Sequence, residues 1–139
     1  MTIERSLEGL PVEELVKVDG YEVHGPDGRR AAYIDLIFVD DASGVPEWFG
    51  VWNGLPGGWR TIMPIVGARQ VGPEVHVPWT KEQIERAPQY HEGPFHDDPR
   101  EVRITREMEE EAYADYGVEA ITAPPAGVYV YRFRSVVIR

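Results

Sequence analysis

The residues with the most chemical potential here are carboxylates and histidines that fall close together. Asp40 and Asp41 stand side by side in "DDASGVPEWFGV", with Glu47 shortly after. Carboxylate oxygens are the ligands that Mg²⁺ and Ca²⁺ prefer, but a calcium loop sets its acids at alternate positions. Ala, Ser, Gly and Val follow instead, so the stretch reads as a turn. Asp41 is placed to accept from the backbone two residues on, and Gly44 to supply a positive φ before Pro46. A second group, His91, His96, Asp97 and Asp98 in "YHEGPFHDD", has types that zinc or nickel would take. Its irregular spacing among glycine and prolines predicts a solvated acidic loop instead.

His24 and His76 each read as isolated in a strand, linked to no serine, cysteine or paired carboxylate, which assigns them a structural or surface role. Arg29 and Arg30 read as solvated arginines beside a turn. "NGLPGGWR" is followed by a strand, whereas a phosphate-cradling loop runs into a helix, so a wide hairpin is expected. Trp48, Trp52, Trp59 and Trp79 could line a ligand pocket, but in a small β-fold they more often fill the interior. No catalytic residue, metal ligand or cofactor is assigned from these patterns.

The elements that must position these groups are short strands and tight turns. Twelve prolines and 14 glycines in 139 residues suit such a chain better than a helical bundle. Residues 1–19 form a charged N-terminal extension in which "PVEELVKV" has the front of a short helix. A β-domain is expected over residues 20–90. "GYEVHGPDGRRAAYIDLIFVDD" predicts a strand, a turn at Pro26–Gly28 and a long strand. In that strand Ile34, Leu36 and Phe38 alternate with Tyr33, Ile37 and Val39, so both faces should be covered. Further strands follow in "PEWFGVWN", "WRTIMPIV" and "RQVGPEVHVPW", the last folding at Gly72–Pro73.

"WTKEQIERAP" predicts a short helix with Thr80 and Gln83 as a capping box and Trp79 and Ile84 as a hydrophobic staple. An acidic loop occupies residues 91–104. A helix over 105–117 is capped by Thr105 and stopped by Gly117, with Met108, Ala112 and Tyr116 facing the β-domain and the intervening acids facing water. Residues 118–139 form a tail hinged at Pro124 and Pro125, carrying one more strand.

The chain carries 24 acidic and 14 basic residues, a formal charge of −10. Nucleic-acid binding needs cations to neutralise phosphates, and anionic membranes impose the same demand, so both partners are disfavoured. With no cysteine, disulfides and thiol catalysis are excluded. "MTIERSLEGL" lacks a signal-peptide core and no stretch is apolar enough to cross a membrane, so a cytoplasmic protein is expected.

Four motifs in order resemble one family. Asp40–Trp48 is similar to D-D-x-T/S-G-x-P-E-W, Ile62–Ala68 to F-V-P-L-x-G-A, Val77–Pro88 to V-P-Y-T-K-E-Q-I-x-x-A-P, and Tyr113–Gly117 to an acidic helix ending Y-x-x-Y-G. These resemble the stand-alone bacterial branch of the PRC-barrel domain family, named for the cytoplasmic barrel of the photosynthetic reaction-centre H subunit. The likeness spans about residues 20–117. Ala32 stands where the family has glycine, and residues 126–139 lie outside its pattern. The resemblance implies a mainly β fold, a small antiparallel barrel with short helices after it, here with an extra C-terminal strand. It also implies protein–protein contact or assembly rather than catalysis.

The tail is the expected contact surface. Tyr129, Tyr131 and Phe133 alternate with Arg132 and Arg134, and such a strand could pair with its own barrel or extend a neighbour's sheet. The expectation is therefore a non-catalytic interaction or assembly module whose partner is another protein or a second copy, as in a homodimer. A ligand-binding sensor using a tryptophan-lined pocket and a metal-dependent hydrolase built on the acidic loop are the alternatives.

Overall fold

The structure is a computed structural model that describes residues 3–40, 45–90, 103–118 and 131–133. Its elements are β1 (Glu4–Ser6), α1 (Val12–Leu15) running into a 3₁₀ turn over Val16–Val18, β2 (Glu22–His24), β3 (Arg30–Asp40), β4 (Pro46–Trp52) and β5 (Arg60–Pro64). β6 (Arg69–Val71), β7 (Glu74–His76), α2 (Lys81–Arg86), β8 (Arg103–Ile104), α3 (Arg106–Tyr116) and β9 (Tyr131–Phe133) complete them. The fold is mainly β, as expected, with three short helices.

The main sheet runs β1-β6-β7-β2-β3-β4-β5. One of the expectations is corrected here. The sheet is mixed rather than antiparallel, because β2 and β7 pair in parallel. Its end strands β1 and β5 are not neighbours, so among the described residues it does not close.

Local sequence explains most of the elements. The β2–β3 turn closes with Gly28 at φ 78°, and Asp27 Oδ1 accepts from the Arg29 amide at 2.9 Å. Asp and Gly are the residues that such a reversal selects. β3 is buried from Ala31 to Val39 except at Tyr33, as its two apolar faces predict. Bulges between Ile34 and Leu36 and between Phe38 and Val39 interrupt its pairing with β4, while the adjacent Ile37 and Phe38 point to opposite faces and are both fully buried. The glycine-rich stretch forms the wide hairpin expected, held by Asn53 N–H to Trp59 O at 3.2 Å and Gly58 N–H to Leu55 O at 2.9 Å.

At α2, Thr80 Oγ1 accepts from the Gln83 amide while the Gln83 side chain accepts from the Thr80 amide. The capping box is thus present. Thr105 caps α3, and Gly117 ends it in the left-handed conformation at φ 69°.

The core lies between the sheet and the helices. Ile84 of α2 and Ala112 of α3 are fully buried, and Tyr116 OH donates to Ile62 O at 2.7 Å, tying α3 to β5. Leu7, Leu15 and Val18 are also fully buried, so the stretch read as an N-terminal extension contributes to the same core. One further correction concerns α3. The acids between its apolar residues were expected to face water, yet Glu109 is 1 % exposed and its Oε2 accepts from Trp48 Nε1–H at 3.0 Å. A buried carboxylate is tolerable when a donor meets it there.

Candidate functional site

The structure brings together two histidines that the sequence presents as isolated. β2 and β7 carry the same tripeptide, Glu-Val-His, and pair in register: Glu22 opposite Glu74, Val23 opposite Val75, His24 opposite His76. Strand side chains alternate, so both valines turn inward, where they are fully buried, while both Glu-His pairs share the other face. The imidazole rings stack with centroids 5.5 Å apart and planes 19° from parallel.

His24 Nε2 lies 3.0 Å from Glu22 Oε1 and 3.4 Å from Glu74 Oε2; its Nδ1 lies 2.9 Å from Gly28 O. His76 Nε2 lies 2.9 Å from Glu74 Oε1. Burial opposes charging of His24, but the Gly28 carbonyl and the Glu22 and Glu74 carboxylates outweigh it and hold its pKa above the usual imidazole value. The hydrogen bond from His76 holds the Glu74 carboxyl below its ordinary value. Among the described residues, no other three His or acidic ligand atoms converge in this way.

The same face continues across the sheet. Glu74, Glu22, Tyr33, Trp52 and Arg60 are successive cross-strand partners on β7, β2, β3, β4 and β5, so they form one row, all partly exposed. One end is acidic; the other is aromatic and basic. The Tyr33 and Trp52 rings are 6.3 Å apart. The Arg30 guanidinium lies 5.1 Å from the Tyr33 centroid and that of Arg60 lies 5.2 Å from Trp52, both within cation–π reach. Gly54 at φ 91° brings the hairpin backbone against the Tyr33 ring, where a Cβ would sit 2.6 Å from Cε2. Leu55 beside them is strongly exposed.

Beneath this row, Tyr90 OH donates to Asp35 Oδ2 at 2.6 Å and Arg60 Nε lies 3.4 Å from the same oxygen. Burial raises the Tyr113 and Tyr116 phenols well above their usual pKa. Trp48 and Trp79 belong to the core, while Trp52 and Trp59 are partly exposed. A surface recess of about 470 Å³ beside α2 is lined by Gly25, Asp27, Arg29, Arg30, Thr80 and Lys81 among others, and by no tryptophan.

Of the expected contact residues, Tyr131, Arg132 and Phe133 form β9, which pairs antiparallel with β3 and β8 of the same chain. Tyr129 and Arg134 lie outside the described residues, as do Asp41–Gly44 and His91, His96, Asp97 and Asp98. The strands that flank Asp41–Gly44, β3 and β4, are antiparallel neighbours with Val39 opposite Pro46. No helix among the described residues is long and apolar enough to cross a membrane.

One sequence signal could have located the Glu-His quartet: the tripeptide Glu-Val-His occurs twice, each time beside a glycine or proline turn residue. In comparisons with known proteins, no family model and no curated protein matches this chain.

Proposed function

We propose that the chain is a non-catalytic interaction module of the PRC-barrel type, docking a protein partner or a second copy of itself. The observation that carries this reading is the surface cluster of Arg30, Tyr33, Trp52 and Arg60. Trp, Tyr and Arg are the residues in which interface energy concentrates, because they bury large rigid area and still offer a polar tip. In a chain of charge −10 this aromatic and cationic patch suits a surface with acidic groups around an apolar centre. The buried polar groups favour the same reading: Asp35, Glu109 and Tyr116 are each engaged by a partner that locks one element to another.

The barrel belongs to this proposal too, with the long, bulged β3 as the strand about which the sheet would curl. The tail residues Tyr129, Tyr131, Arg132, Phe133 and Arg134 are a second contact surface under it. Their middle three extend the chain's own sheet, so they would add to an interface as part of this fold.

Light scattering and affinity capture from the source cell test the proposal, comparing the wild type with Arg30→Ala and Trp52→Ala. The reading expects a dimer, or a specific protein partner, that is weakened in both variants while their melting temperatures show them folded. If folded variants keep the same mass and captured proteins, the patch is not the docking surface.

A further inference from the structure

We propose that Glu22, His24 and Glu74 form a binding site for a divalent first-row transition-metal ion such as Zn²⁺, with His76 holding Glu74 in place. The argument starts from hydrogen-bond roles. A carbonyl oxygen only accepts, so the 2.9 Å contact of His24 Nδ1 with Gly28 O puts the ring proton on Nδ1. The neutral ring then presents a bare lone pair at Nε2, aimed at Glu22 Oε1 and Glu74 Oε2 at 3.0 and 3.4 Å. Three acceptors therefore converge with no proton among them. A cation belongs between them, either a second proton on the ring or a metal ion.

The geometry suits a metal. Tetrahedral zinc with bonds of about 2.0–2.1 Å to nitrogen and oxygen sets its ligand atoms roughly 3.3 Å apart. The three candidate atoms all lie within 4.8 Å of one another, with the two measured separations bracketing that value. The surroundings also have the form found around metal-binding histidines, where the second ring nitrogen donates to a carbonyl and fixes the tautomer. Gly28 O does this for His24, and its position follows from the β2–β3 turn closed by Gly28. His76 Nε2 engages the other oxygen of Glu74 and leaves Oε2 directed at His24.

The parallel pairing of β2 and β7 fixes both carboxylates on a rigid sheet rather than a loop. The ligand types select the metal: imidazole suits zinc, cobalt or nickel, whereas all-oxygen shells suit calcium and magnesium. The facing charged groups are Glu22, Glu74, His76 and Arg30, the last paired across the strand and directed to the Tyr33 hydroxyl at 2.8 Å.

Isothermal titration of the full, chelator-stripped chain with zinc chloride tests this, with cobalt spectra as a second readout. The wild type should take up one zinc per chain, and His24→Ala and Glu74→Gln should each weaken uptake at least about tenfold. Cobalt should give a visible spectrum that His24→Ala abolishes. A His91→Ala/His96→Ala variant should bind as the wild type does, and so should Trp52→Ala, which separates the site from the docking patch. No uptake at millimolar zinc would overturn the proposal. So would uptake that survives His24→Ala in a chain shown folded by circular dichroism, or that disappears with His91 and His96.

Discussion

Gly50→Ala is expected to destabilise the chain, although strand propensity predicts the opposite. An alanine in a strand interior loses less backbone entropy than glycine, a gain of roughly 0.5–1 kcal/mol. Gly50 is the buried middle of β4, opposite Leu36 and Ile62, and its φ is not positive, so the backbone itself would accept alanine. The obstacle is Tyr90. A Cβ at position 50 would lie 2.9 Å from Tyr90 Cε1, Cζ and Oη. To reach ordinary contact the ring must retreat by about half an ångström, and three attachments resist that.

Tyr90 OH is held by Asp35 at 2.6 Å, its ring meets Phe38 edge-on at 5.2 Å, and its amide donates to Arg60 O at 3.1 Å. Overpacking costs about 1–3 kcal/mol, and weakening a hydrogen bond to a charged group costs up to about 1.5–3 kcal/mol more. Set against the propensity gain, the net loss is about 1.5–5.5 kcal/mol. In a chain of this length that lowers Tm by roughly 5–20 °C.

Urea unfolding followed by tryptophan fluorescence and circular dichroism measures it. The decisive comparison repeats the substitution in a Tyr90→Ala background, where the obstacle is gone and the change should cost less than about 0.5 kcal/mol. A neutral or stabilising Gly50→Ala in the wild-type background, or an equal cost in both backgrounds, would refute the reasoning.

Trp48→Phe removes the indole donor from the buried Glu109 carboxylate. It should cost about 2 kcal/mol in urea unfolding, with more than half recovered when Glu109 is also changed to Leu. In chelator-containing buffer, His24 should make stability fall as pH rises. Its folded pKa lies above the unfolded value of 6.5, so its contribution is complete below pH 6.5 and is lost as pH climbs through the folded value. Unfolding free energies between about pH 5.5 and 8 should show that slope in the wild type, and a shallower one in His24→Gln.

Features set by neighbours in the sequence were legible without the structure. The Thr80–Gln83 capping box, the Gly117 stop, the Pro26–Gly28 turn and the glycine-rich hairpin depend on a few adjacent residues, because caps and turns satisfy backbone groups locally. The mainly β character followed from alternating apolar residues and frequent turns for the same reason.

Tertiary structure decided which strands became neighbours, and the candidate site depends on that. The repeated Glu-Val-His tripeptide marks the two segments, but it does not say that they will lie side by side in parallel register, since strand pairing is fixed by the packing of the whole sheet. Two histidines that read as isolated therefore became one cluster with two carboxylates. Glu109 likewise sits on a helix whose local pattern assigns it to water, and only the docking of α3 against Trp48 of β4 buries it. Alternation and turn residues determined that this chain would make strands; the pairing of distant strands determined what their outward faces hold in common.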